Sequence, residues 1–302
     1  MLGALIAVVF LISGLILQRL PGFPLEKATL WINGYLLYLV LPALALLHIP
    51  QIKPGLDLLV PISAAWFTFF MSWVIFGMMG RFLHWNKGTT GCLVIVSGLA
   101  NTSFLGFPVL EALYGKQSLS VALLMDQGGS FLLVSSLAII VGSIYSHKEG
   151  NLSSIPLKIL SFPPFIFLLS TIVMSILGWK TPEIMLPFLS GIGKTMAPVA
   201  LLALGVKFSL DTEALTSRFY WMSIGYRLIL APAMVWLIYR NFLPEAELTF
   251  KVTVLESGMA PMITGSIVAI QYGLQPKLAT LLASLGIPIS LVSIFLWYLF
   301  LG

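Results

Sequence analysis

The chain has 302 residues, 59% of them hydrophobic and 9% charged, with a mean hydropathy of +1.01. Soluble domains carry about 25% charged residues, so this composition excludes a soluble protein and defines a polytopic membrane protein. The net charge of +5 fits basic loops against an anionic membrane surface and not nucleic-acid binding, and the single cysteine, Cys92, excludes an intramolecular disulfide or a cysteine metal site.

A helix needs about 20 apolar residues to cross about 30 Å of hydrocarbon. The pattern predicts ten spans, near Leu2–Leu17, Ala28–Leu47, Leu58–Met79, Thr89–Tyr114, Ser118–Tyr145, Leu157–Leu177, Glu183–Val206, Phe219–Tyr239, Leu248–Tyr272 and Pro276–Phe300. The first span has no basic residue ahead of it and no small-residue cleavage site, and is expected as a true helix, not a signal peptide.

Spans four and nine carry polar and helix-breaking residues at their centres. The first has Asn101, Thr102 and Ser103 with Gly106 and Pro108; the second has Glu256, Ser257 and Gly258 with Pro261. Lipid cannot satisfy the N–H and C=O groups freed by a break, so broken helices persist around cavities and sites. Paired breaks in matching halves point to the substrate site of a secondary transporter. The breaks are expected near Asn101–Pro108 and Ser257–Pro261, crossing at mid-membrane.

Loops one, three, five, seven and nine hold nine of the 16 Lys and Arg residues, and the opposite side holds five. The remaining two, Lys194 and Arg227, fall inside spans. The bias makes the first side cytoplasmic and places both termini outside. The polar loop Ser146 to Ser154 divides ten spans into five plus five, residues 1–145 and 155–302. An odd number of spans per half inverts the second relative to the first. The fold class is therefore all-α, with two inverted five-helix repeats and crossed broken helices four and nine.

Four stretches carry a family resemblance. Asn101 to Gly115 (NTSFLGFPVLEALYG) resembles the N-x-x-F-[LI]-G-x-P motif in the fourth helix of the auxin efflux carrier family. Tyr38 to Leu44 resembles its second helix, Pro198 to Gly205 its P-x-A-L-L-A-L-G seventh, and Arg227 to Pro232 the R-L-I-x-x-P of its eighth. The short fifth loop resembles the compact bacterial members. Glu256-Ser257-Gly258-Met259 also resembles the ninth helix of sodium/bile-acid symporters, where a glutamate at the break helps bind sodium. The resemblance implies a fold of the bile-acid-symporter and NhaA type. It implies a scaffold of helices 1, 2, 6 and 7, which also forms a homodimer, and a transport domain of helices 3–5 and 8–10. It further implies elevator-type export of auxin-like or small mono- and dicarboxylate anions across a bacterial plasma (inner) membrane.

The expected substrate ligands are Asn101, Thr102, Ser103, Pro108, Ser257, Gly258 and Pro261. Half-helix N-termini with free N–H groups suit a carboxylate. Glu256 and Asp126 lie within spans, where an ionisable residue is costly and so defaults to function. Each could carry H⁺ or hold Na⁺, and Asp126 could equally bond the broken fourth helix. Arg227 could pair with a carboxylate or with the anionic substrate. Lys194 could snorkel to an interface. Glu111, near a span end, is expected to be wet. Asn151-Leu152-Ser153 is a glycosylation-type sequon on the expected cytoplasmic side.

No cofactor and no metal beyond a Na⁺ at Glu256 is expected, and His48, His84 and His147 make no metal-ligand spacing. No nucleophile–base pair or HExxH motif marks an enzyme. Two other readings remain beside the carrier: a Na⁺-coupled organic-anion symporter of the bile-acid type, and an anion channel or transporter-like receptor. The expected partners are a small organic anion and the lipid bilayer.

Overall fold

The computed structural model describes residues 2–51, 59–146, 160, 163–207, 216–241 and 247–302. Apart from Ser146, the loop expected to divide the halves lies outside them, as do Asn151 and the start of the sixth expected span. The described secondary structure is helical, with one isolated bridge between extended residues.

Among the described residues, six helices are long and apolar enough to cross a membrane. They are α2 (Lys27–His48), α3 (Leu59–Phe82), α6 (Ser118–Tyr145), α8 (Glu183–Val206), α9 (Arg218–Tyr239) and α12 (Pro276–Leu301). Two shorter apolar helices are α1 (Leu2–Gln18) and α7 (Pro163–Ile176). The two broken segments each give a pair. The first is α4 (Lys87–Gly98) and α5, which opens as a π turn over Thr102–Gly106 and continues as Phe107–Tyr114. The second is α10 (Glu247–Ser257) and α11 (Ile263–Gln271). Asn86 caps α4, its Oδ1 accepting the Thr89 N–H at 2.7 Å. Positive-φ glycines follow the far halves, Gly115 after α5 and Gly273 after α11, where a residue with a Cβ would be strained.

The first break is shorter than its composition suggests. Only Leu99–Asn101 leave the helix, and Thr102 to Pro108, expected to be unwound, are helical. The reason is a widened turn. Pro108 sits at the start of the α-helical part of α5, directly after the π turn. Its ring cannot donate an i→i−4 bond and crowds the preceding turn, which widens instead of opening. The same arrangement recurs at Pro42 after the π turn Leu36–Val40, and at Pro232 after Tyr226–Leu230. Proline alone is not sufficient, since Pro288 sits within the α-helical α12.

The breaks also exchange partners in the core. One buried cluster gathers α4 (Cys92 to Leu99) with Ala269 of α11, Phe69 and Phe76 of α3, and Leu282 of α12. The other gathers α5 (Phe107, Leu110) with Val252 and Leu255 of α10, Leu44 of α2 and Leu204 of α8. Each half of a broken helix thus packs with a half of the other, as two segments crossing at their breaks must. Elsewhere large apolar side chains such as Trp31, Phe82 and Ile184 are exposed, which lipid accommodates.

Candidate functional site at the helix crossing

The site is built where α4 and α10 end. Leu99–Asn101 runs antiparallel to Ala260–Met262, paired through a bridge between Ala100 and Pro261. The Asn101 N–H donates to the Ala260 carbonyl at 2.8 Å, and the Met262 N–H to the Leu99 carbonyl at 2.9 Å. Each break therefore satisfies part of the other's exposed backbone, which no lipid could do.

Arg227 sits under this crossing, fully buried on the π turn of α9. Its Nη1 donates to the carbonyls of Ser97 at 3.2 Å and Gly98 at 3.1 Å, at the end of α4. Its Nη2 donates to the carbonyl of Ser257, the last residue of α10. A helix C-terminus carries roughly half a negative charge, so two converging ends amount to about one. The single guanidinium charge balances them. Among the described residues no carboxylate forms an ion pair with Arg227. Among the described residues its partners are main-chain carbonyls, where a carboxylate was one expectation from sequence.

Two carboxyl groups flank the first turn of α5. Asp126 lies in a π segment of α6, Leu124–Phe131, and is fully buried. Its Oδ1 accepts from Thr102 Oγ1 at 2.5 Å and from Ser103 Oγ at 2.8 Å, and Oδ2 accepts from Gln127 Nε2. Glu256, one residue before the end of α10, is also fully buried, and among the described residues neither carboxyl oxygen has a hydrogen-bond partner. Its Oε1 lies over Gly106, where a Cβ would come within 2.7 Å of it. Asp126 thus meets the π turn at Thr102 and Ser103, and Glu256 meets the same turn at Gly106. Asn101 Nδ2 and Gln127 Oε1 are likewise buried without partners.

A cavity of about 330 Å³ opens beside this cluster. Ser103, Asp126, Gln127 and Thr264 give it polar wall, and Phe104, Phe131 and Val268 apolar wall. Among the described residues its lining includes no lysine, arginine or histidine. Met262 and Thr264 bring the first turn of α11 to its edge, where N–H groups lack helical acceptors. A second cavity of about 300 Å³ lies at the far end of α5, lined by His48, Glu111, Lys116 and Lys194. Glu111 and Lys194 therefore share a cavity wall, and Lys194 is exposed there.

Of the expected substrate ligands, Ser103 alone lines the 330 Å³ cavity. Thr102 is engaged with Asp126. Asn101 carries the bridge at its main chain. Ser257 donates from Oγ to the Val254 carbonyl, Gly258 packs against Pro232, Pro261 pairs with Ala100, and Pro108 is buried in α5. Sequence reasoning passed over Gln127, Phe131 and Thr264. The run Asp126-Gln127-Gly128-Gly129-Ser130, polar and small inside an apolar span, was the signal for the first two.

Comparison with known proteins places the chain among membrane transporters. A family model described as membrane transport protein matches residues 2–298. An uncharacterized transporter of Methanocaldococcus jannaschii is 26% identical over 290 residues, 93% of this chain and 92% of its own. An uncharacterized transporter of Methanothermobacter thermautotrophicus is 27% identical over 215 residues, 70% of this chain and 68% of its own. The protein is an integral, multi-pass membrane protein, and the chain belongs to the membrane transport protein family of auxin efflux carriers.

Proposed function

We propose that the protein is a secondary carrier of small organic carboxylate anions, auxin-like or small mono- and dicarboxylates, moving them outward across the plasma membrane. The cavity of about 330 Å³ at the crossing carries this reading. Its size falls in the range of small-molecule sites. The first turn of α11 offers a carboxylate free N–H groups and the positive end of a helix dipole. Phe104, Phe131 and Val268 suit the hydrocarbon part of an organic acid. With no basic side chain in the wall, the main chain is the source of positive potential.

The two cavities support alternating access by an elevator movement. Leu37 of α2 lines the first, and Leu44 and His48 line the second. Leu37 and Leu44 are roughly 10 Å apart along the helix axis. A block carrying the crossing past α2 would offer its site first to one cavity and then to the other. In this reading the ten expected spans form two inverted repeats, with helices 1, 2, 6 and 7 as a dimeric scaffold, the others as the moving domain, and both termini outside.

Proton linkage fits the site better than sodium linkage. An anion entering the cavity beside Asp126 meets a like group, and a proton taken up there removes that repulsion, with Glu256 buried on the other side of the same turn. The carbonyl ends of α4 and α10, which would attract a cation, already hold Arg227. The sodium-coupled reading rests on the two unpartnered oxygens of Glu256.

Proteoliposomes containing the protein, loaded with labelled mono- and dicarboxylates, test the proposal. Saturable release that responds to a pH gradient and not to a sodium gradient is expected. Sodium-driven flux would install the symporter reading instead. Currents far above carrier turnover would mean a channel, and no flux of any acid would overturn the substrate class.

A further inference from the structure

Arg81 lies in the last turn of α3 and Lys87 opens α4, with Trp85 and Asn86 in the connection between them. A groove of about 620 Å³ lies against this corner, and its two ends differ in chemistry. At the corner, Arg81, Lys87 and Trp85 line it. Arg81 and Lys87 are exposed, and among the described residues neither pairs with a carboxylate. The Trp85 ring is held edge-on against Phe219, with centroids 5.0 Å apart, and its indole N–H is buried without an acceptor. The start of α4 adds the main-chain N–H groups of Lys87 and Gly88, since Asn86 accepts those of Thr89 and Thr90. Among the described residues no acidic side chain lines the groove. The corner is a set of donors and positive charges.

The other end is apolar. Val74, Gly77 and Met78 precede Arg81 by seven, four and three residues, so all four share one face of α3. Val74 is roughly 10 Å below Arg81 along the helix. Val74 and Met78 are 50% and 53% exposed, on the flank turned to lipid. Gly77 forms the floor: a Cβ there would rest in ordinary contact with the Tyr145 hydroxyl at 3.5 Å and the Trp73 ring at 3.6 Å, so the glycine makes the groove one side chain deeper at this point without a clash.

We infer that this groove is a binding site for one anionic phospholipid. Its phosphodiester meets Arg81, Lys87 and the main-chain N–H groups at the start of α4, and an acyl chain lies along Val74, Gly77 and Met78. The charged end sits where a membrane-spanning helix ends, and the apolar end runs into the hydrocarbon. A soluble phosphate would satisfy the corner and leave the lower groove unused. The corner also lies on the side that the Lys and Arg bias assigns to the cytoplasm, where anionic headgroups attract basic residues. The site stands apart from the helix crossing and does not depend on the proposed substrate.

The test is lipid retention by the purified full chain, read by native mass spectrometry and by melting temperature. The probes are phosphatidylglycerol, phosphatidylcholine and sn-glycerol 3-phosphate. Phosphatidylglycerol is expected to be retained and to raise the melting temperature, and the other two to do neither. The double variant Arg81→Gln/Lys87→Gln should bind phosphatidylglycerol about tenfold more weakly or worse, given the attraction lost per basic residue. The control pair Arg19→Gln/Lys277→Gln removes the same charge from other loops expected on that side and should bind as wild type. Gly77→Leu keeps every charge and fills the groove floor, and should also lose retention. Equal loss in the control pair, wild-type retention by either groove variant, or stabilisation by sn-glycerol 3-phosphate matching that of the lipid would each overturn the site.

Discussion

Arg227 donates through Nη2 to the carbonyl of Ser257, and through Nη1 it reaches across to the end of the other broken helix. One side chain thus ties the last turns of α4 and α10 together. Arg227→Ala should strip three carbonyls of their donor and leave two helix ends facing each other unbalanced. Hydrogen bonds to charged groups are worth about 1.5–3 kcal/mol each, so a loss of several kcal/mol is expected. Arg227→Lys should recover only part of it, because a point charge cannot fork across both ends. Melting curves with millimolar guanidinium chloride check the assignment: the Ala protein should gain stability from the ion and wild type should not.

Gly106 lies under the carboxyl of Glu256, and an added Cβ would come within 2.7 Å of Oε1. Both sit in a fully buried layer, so the carboxyl can move only by displacing its neighbours. Gly106→Ala should cost about 1–3 kcal/mol, the usual range for overpacking a core. Transport should fall by more than the loss of folded protein accounts for. Flux per folded molecule in proteoliposomes separates the two effects.

How much of this was legible in the sequence depends on whether the information lies in side chains. Ser118–Tyr145 and Glu183–Val206 were bounded as observed, because apolar runs flanked by polar or glycine residues mark where lipid ends. Both breaks were legible from polar letters at mid-span. Their extent was not, because Thr102 to Gly106 read as a helix-poor run and only the widened turn before Pro108 keeps them helical. The partners of Arg227 were illegible for a simpler reason. Main-chain carbonyls have the same chemistry at every residue, so no letter marks Ser97, Gly98 and Ser257 as its acceptors. Thr264 gave no signal either, being one threonine after a break whose cavity is walled mostly by other helices.

Asp126 accepts three side-chain donors, two of them from the first turn of α5. Asp126→Asn keeps an acceptor for Thr102 and Ser103, but its new amide faces that of Gln127. Gln127 can flip, since its Oε1 has no partner. Stability should therefore change by only about 1 kcal/mol, the net worth of a typical hydrogen bond. Transport should lose part of its pH response. Flux at several pH values, beside melting temperature, reads both.

Asn101 holds the crossing through its main chain, while its side-chain Nδ2 is buried without an acceptor. Asn101→Ala keeps the main-chain bond and should barely lower the melting temperature. If Nδ2 donates to a bound carboxylate, affinity should fall by about 1.5–3 kcal/mol, the value of a bond to a charged group. Binding titrations with the best transported acid measure this. Unchanged affinity in a folded Asn101→Ala protein would remove Asn101 from the substrate's ligands.

Glu256 is a buried carboxyl that no hydrogen bond satisfies among the described residues. A group kept at such cost is best explained by a partner that comes and goes. Glu256→Gln keeps the size and removes both the charge and the titration. A neutral amide costs less to bury than a carboxylate, so the variant should melt no lower than wild type and could melt higher. If Glu256 carries a proton, the variant should still exchange acid for acid but lose acceleration by a pH gradient. If it binds sodium, the variant should instead lose a sodium-dependent rise in melting temperature that wild type displays. The proton outcome is expected, because the carbonyl ends beside Glu256 already hold the charge of Arg227 and offer a second cation little. A variant with the wild-type pH profile and the wild-type sodium response would leave Glu256 outside the coupling and shift that role to Asp126.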